Sequence, residues 1–183
     1  MSTENAPEAY SRVQIALHWS MGALIFALVP MGFVMSDADP HGAMRLWLSR
    51  AHAGLGTLLG ALLVARAVVR LRAPKVAELP GSTPIQRAAM RVVHVGIYLA
   101  LAAVLLSGSA ASFLGDWPAY LFGQTPGAPD LHDIPPREGH ETFVFALLGL
   151  TLTHVGGVVL HEIRKGGALR RMLPGMGTAP KTE

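Results

Sequence analysis

Eight histidines stand in a chain of 183 residues that has no cysteine. Imidazole titrates near neutral pH, and its neutral nitrogen is a common metal ligand. His18, His52, His94, His140, His154 and His161 fall within or at the ends of long apolar stretches, and an ionisable residue inside a membrane is costly enough to mark function. His140 and His154 are fourteen residues apart. At about 100° per residue that step returns to within about 40° of the same helix face, after a rise of about 21 Å. His161 follows seven residues later, again on that face. One helix thus offers imidazoles at two depths. His52 heads a helix entering from the side where His140 sits, so the two match in depth. His18 heads one entering from the opposite side, so it matches His154 or His161. Two imidazoles on facing helices, one macrocycle apart, are the bis-histidine arrangement of low-spin haem b. Two such pairs at two depths make an electron path across a membrane.

Other residues suit the same chemistry. Arg66 follows His52 by fourteen residues and reaches the depth of the second pair, where a guanidinium can bind a haem propionate bidentately or snorkel to the interface. Arg70 reads as a snorkelling residue. His94 and His161 are spare ligands, contacts to a propionate or quinone, or polar helix-end residues. His41 and His132 read as solvated loop residues. Gly54, Gly56 and Gly60, with Gly149, Gly156 and Gly157, are small enough to let a flat macrocycle or a second helix approach the backbone. The missing cysteines exclude disulfides, iron–sulfur clusters, thioether-linked haem and thiolate zinc sites.

The elements that must position these side chains are legible from composition. Charged residues make up 15% of the chain and hydrophobic ones 51%, against about 25% charge in ordinary soluble domains. Mean hydropathy is +0.39. Such a chain is not disordered, since disordered chains are poor in apolar residues. Four stretches, over about 14–35, 50–71, 88–113 and 139–162, reach the roughly 20 residues a helix needs to cross a bilayer. Backbone polar groups must pair internally in hydrocarbon, so these stretches predict helices, and no barrel-strand alternation is visible. The first stretch is too long, and too poor in preceding positive charge, for a cleaved signal peptide. The expected fold is an all-α four-helix membrane bundle over residues 10–174, with flexible tails at 1–9 and 175–183. Charge sets its orientation. Arg66, Arg70, Arg72, Lys75, Arg87 and Arg91 flank the second connection, and Arg164, Lys165, Arg170 and Arg171 follow the fourth span. The third connection instead carries Asp116, Asp130, Asp133, Glu138 and Glu141 against Arg137 alone. Both termini are therefore expected in the cytoplasm, with the acidic loops outside. The net charge of +3 gathers at helix ends, where lipid headgroups attract it and nucleic acid is not expected. The proline-rich third connection should be irregular, and Trp47, Trp117, Tyr120 and Phe122 suit an interfacial aromatic belt.

From Tyr10 to Pro174 the chain resembles the bacterial cytochrome b561 family. The resemblance rests on Tyr10-Ser11-Arg12, Leu17-His18-Trp19, Ala51-His52-Ala53-Gly54 and Val64-Ala65-Arg66 with Arg70. It continues in Val93-His94-Val95-Gly96-Ile97-Tyr98, Gly139-His140-Glu141 and Leu169-Arg170-Arg171-Met172-Leu173-Pro174. The family often carries a pair of histidines where this chain has His161 alone. The resemblance implies a four-helix inner-membrane protein with two non-covalent haem b groups. It implies His18 and His154 as axial ligands on the cytoplasmic side, and His52 and His140 on the periplasmic side. It also implies exchange of electrons with the quinone pool and a second partner, which is superoxide or a redox protein on the periplasmic side. Proton groups for the quinone step would be His94, Arg66 and His161 at the inner side and Glu141 or Asp133 at the outer. Arg137 could steer an anion, against a net acidic surface. Two other readings stand beside this one. One is an anchor subunit that passes electrons to a partner dehydrogenase or hydrogenase. The other is a histidine-lined transporter, disfavoured by the lack of repeats. A homodimer is compatible with the small-residue faces.

Overall fold

The computed structural model describes residue 7 and residues 9–173. Most of the two tails lies outside the described residues. α1 spans Arg12–Asp37, α2 Ala43–Arg72, α3 Pro84–Leu114, α4 Trp117–Leu121 and α5 Pro135–Lys165, followed by a 3-10 turn at Leu169–Arg171. No strand is present among the described residues. α1, α2, α3 and α5 are each long and apolar enough to cross a membrane. They extend beyond the apolar stretches, and at α1 and α3 a side-chain cap sets the start. Ser11 and Gln14 form a reciprocal capping box at the start of α1, with bonds of 3.3 and 3.0 Å. Thr83 and Gln86 repeat it at α3, where Pro84 occupies the first turn. These residues satisfy amides that the first helical turn leaves without partners.

α1 packs along α2, and α3 along α5, while few backbone contacts join the two pairs. Met21 and Leu28 of α1, Leu59 of α2, Ala100, Leu101 and Val104 of α3 and Leu147 of α5 fill the middle. Large side chains point outward, Phe26 at 68% and Leu106 at 72% exposure, as lipid-facing positions require.

The connections sort into two ends. At the basic end, Ala77 N donates to Pro7 O at 2.9 Å, Arg171 donates to Ala77 O at 2.6 Å, and Lys165 Nζ reaches Gly81 O. At the acidic end, Ala128 N donates to Pro40 O at 2.9 Å and Arg50 Nε to Leu121 O at 2.7 Å. The third connection is not wholly irregular, since α4 forms within it. Trp117 and Tyr120 are buried on α4 at 7% and 3% exposure, packed against protein rather than standing in an interfacial belt. Trp47 and Phe122 are exposed, and Trp47 lies inside α2 rather than in the loop before it.

Candidate functional site

The two expected histidine pairs meet between the helix pairs. The His18 and His154 rings have centroids 6.2 Å apart at an interplanar angle of 75°. The His52 and His140 rings are 6.3 Å apart, also at 75°. α5 supplies one member of each. Among the described residues, no group of three or more histidine, aspartate or glutamate side chains converges on a metal-ion site.

At the acidic end, His140 Nδ1 donates to the Val104 carbonyl at 2.9 Å. That bond places the proton on Nδ1 and leaves Nε2 with its lone pair, the tautomer a metal ligand needs. The approach depends on Gly108, where a Cβ would lie 2.8 Å from His140 Nδ1 and 2.9 Å from Cε1. Gly32 of α1 faces His52 more loosely, where a Cβ would lie 3.4 Å from Cε1. His52 Nδ1 is buried and has no hydrogen-bond partner.

At the basic end, Arg66 turns inward. Its Nε donates to the Tyr98 hydroxyl at 2.9 Å, and NH2 lies 3.2 Å from His18 Nδ1. NH1 is buried without a partner. His94 packs on His154 with centroids 5.0 Å apart. Arg70 is exposed and shares with Tyr10, Gln14, Arg66, Tyr98 and Met172 the lining of a small cavity. Trp19 stands edge-on to His18 at 5.4 Å and donates its indole N–H to Met172 O at 2.6 Å. His161 is half-buried, and its Nε2 has no partner.

The remaining candidates are peripheral. His41 and His132 are exposed in loops, and their backbone amides bond to Asp39 and Asp130. Asp133 is exposed. Glu141 is exposed and lies 3.9 Å from Arg137 one helical turn away, a contact of small energetic weight in solvent. The glycines do not serve tight helix contacts. A Cβ at Gly54, Gly56, Gly149, Gly156 or Gly157 would meet nothing within 4 Å, and at Gly60 it would make only ordinary contact with Leu105.

Tyr98, Gly108 and the Val104 carbonyl were not singled out as site groups from sequence. Tyr98 carried a signal, since it lies four residues after His94 and therefore on its face. A backbone carbonyl carries none.

Two comparisons bear on identity. The profile of prokaryotic cytochrome b561 matches residues 9–175. "Cytochrome b561 homolog 2" of Escherichia coli (strain K12) is 28% identical over 94% of this chain and 95% of its own. "Cytochrome b561 homolog 1" of the same organism is 26% identical over 90% of this chain and 97% of its own. The match runs through every helix that carries a paired histidine, and the chain belongs to the prokaryotic cytochrome b561 family.

Proposed function

We propose that this chain, by its family a haem b electron carrier of a bacterial membrane, moves electrons between two haem groups stacked across the bilayer and exchanges them with quinone. One group would be held by His18 and His154, the other by His52 and His140. Haem b supplies reversible one-electron chemistry at iron.

The observation that carries the reading is the spacing of the two pairs, 6.2 and 6.3 Å. His18 with His154, and His52 with His140, would each hold one haem iron, and that separation leaves room for a metal between the two rings of each pair. The surroundings fit as well. Gly22 and Gly56 lie one turn beyond His18 and His52, where a Cβ would meet nothing within 4 Å, so no side chain at either position stands in a macrocycle's way. Arg66 NH1, a buried cationic donor without an acceptor, suits a propionate. His94 lies outside both pairs, and we assign it with His161 to proton handling or quinone contact. Positive charge at one end and acidic loops at the other support cytoplasmic termini in the inner membrane. Superoxide or a redox protein is the outer partner in this reading.

The test is optical. Purified protein, oxidised and then reduced with dithionite, should show split b-type bands and two haems per chain. Haem content near zero would rule the reading out. Reduction of the bound haems by a quinol analogue is expected, and its failure would remove the quinone step alone.

A further inference from the structure

A second group of unpartnered donors lies at the acidic end, away from the histidine rings. Ser49 Oγ and Tyr120 OH have no hydrogen-bond partner, although the two residues are only 1% and 3% exposed. Arg45 Nε is buried and equally unpartnered. Its guanidinium lies 5.7 Å from the centroid of Trp117, and its NH1 donates to Met35 O. Trp117 stands edge-on to Tyr120 at 5.6 Å, so α4 sets both aromatic residues against the start of α2.

Native proteins leave few buried polar groups unpaired. All three groups here can donate, and an arginine nitrogen can do nothing else. The partner missing at Arg45 Nε is therefore an acceptor, favoured as an anion beside a guanidinium, and the two hydroxyls can donate to the same group. Ser49 and Arg45 precede His52 by three and seven residues, which places them on the His52 face about 4.5 and about 10.5 Å further out. We propose that Arg45, Ser49 and Tyr120 form an anion site that takes a carboxylate. The proposal rests on the ligand reading above, because the carboxylate within reach is a propionate of the haem held by His52 and His140. A free carboxylate anion has the same chemistry. The site is the counterpart of Arg66 NH1 at the opposite end.

The experiment uses the full chain purified with its haem. Arg45→Gln, Ser49→Ala and Tyr120→Phe are compared for the rate of haem loss to excess apomyoglobin. The reduction potential is followed at the haem that His52→Ala removes. Each variant should speed loss of that haem, Arg45→Gln by about tenfold, as expected for a hydrogen bond to a charged group. Arg45→Gln should also lower the potential, because removing a nearby cation favours oxidised iron. Ser49→Ala discriminates most sharply. Deleting a hydroxyl that truly has no partner would stabilise the protein and leave haem retention unchanged, and that result overturns the proposal. Reconstitution with haem dimethyl ester identifies the source. If the ester reproduces the Arg45→Gln loss and the substitution adds nothing further, the ligand is the propionate. If the ester changes nothing and sodium formate slows haem loss in the unsubstituted protein only, the site takes a free carboxylate. Should His52→Ala keep both haems, the ligand reading fails; loss there with unmoved triad variants sinks the triad alone.

Discussion

The two histidine pairs are nearly superimposable in their own geometry and differ in everything around them. Ring separations of 6.2 and 6.3 Å and equal angles of 75° make His18–His154 and His52–His140 the same motif used twice. Around His140 the partners are neutral: a backbone carbonyl and a glycine in contact with the ring. Around His18 the partner is a guanidinium held by Tyr98, and His94 packs on His154. An arginine cannot accept a proton, so Arg66 NH2 pairs with His18 Nδ1 only where that nitrogen carries a lone pair. The acidic end fixes the tautomer of His140 through the backbone. The basic end leaves the tautomer of His18 to a side chain, Arg66. On the proposed ligation, one motif would thus be tuned by neighbours that never touch the iron.

The comparison breaks most decisively at the rings themselves. His52→Ala and His154→Ala should each remove one haem and spare the other, read from pyridine haemochrome content and the reduced spectrum. Retention of both by either variant refutes the pairing. Gly108→Ala comes next, because its Cβ would enter the space of the His140 ring. We expect selective loss of the acidic-end haem and about 1–3 kcal/mol of stability, the usual range for overpacking, measured by thermal unfolding in detergent. A normal haem complement would show that the ring can tilt away at no consequence. Arg66→Leu sharpens the contrast instead. Losing a cation beside the basic-end pair should lower that haem's potential and leave the other unmoved in a redox titration. Equal shifts at both haems would mean the two ends share one field. Tyr98→Phe should shift the same potential in the same direction by less, since Arg66 keeps its charge and loses only one anchor. An effect as large as that of Arg66→Leu would show that the hydroxyl itself acts on the site.

Much of this was legible in the sequence, for identifiable reasons. Hydropathy located the four long helices because lipid leaves an apolar helix no alternative. Helical periodicity put His140 and His154 on one face, and depth matched them to His52 and His18. It left His154 and His161 tied as partners of His18, since both lie on that face at the inner end. The structure brings His154 to His18. The misjudged positions lie where tertiary contact overrides local pattern. Trp117 and Tyr120 have the composition of an aromatic belt, but α4 turns them inward. Of the glycines read as letting a macrocycle or a second helix approach, Gly54, Gly56 and Gly149 meet no second helix, while the tight approaches occur at Gly108 and at Gly96, where a Cβ would lie 3.2 Å from Leu150. Whether a glycine faces a neighbour depends on a helix elsewhere in the chain.

α5 supplies one histidine to each pair, and it is the last of the long helices to leave the ribosome. On the proposed ligation, a nascent chain that has inserted only α1 to α3 holds half of two sites and the whole of neither. Both haems must then be captured only once α5 has been made. The Trp19–Met172 bond, which ties the first helix to residues made after α5, would form at about the same stage. A message truncated before Pro135 would yield a membrane protein with no cofactor at all, rather than one with a single haem.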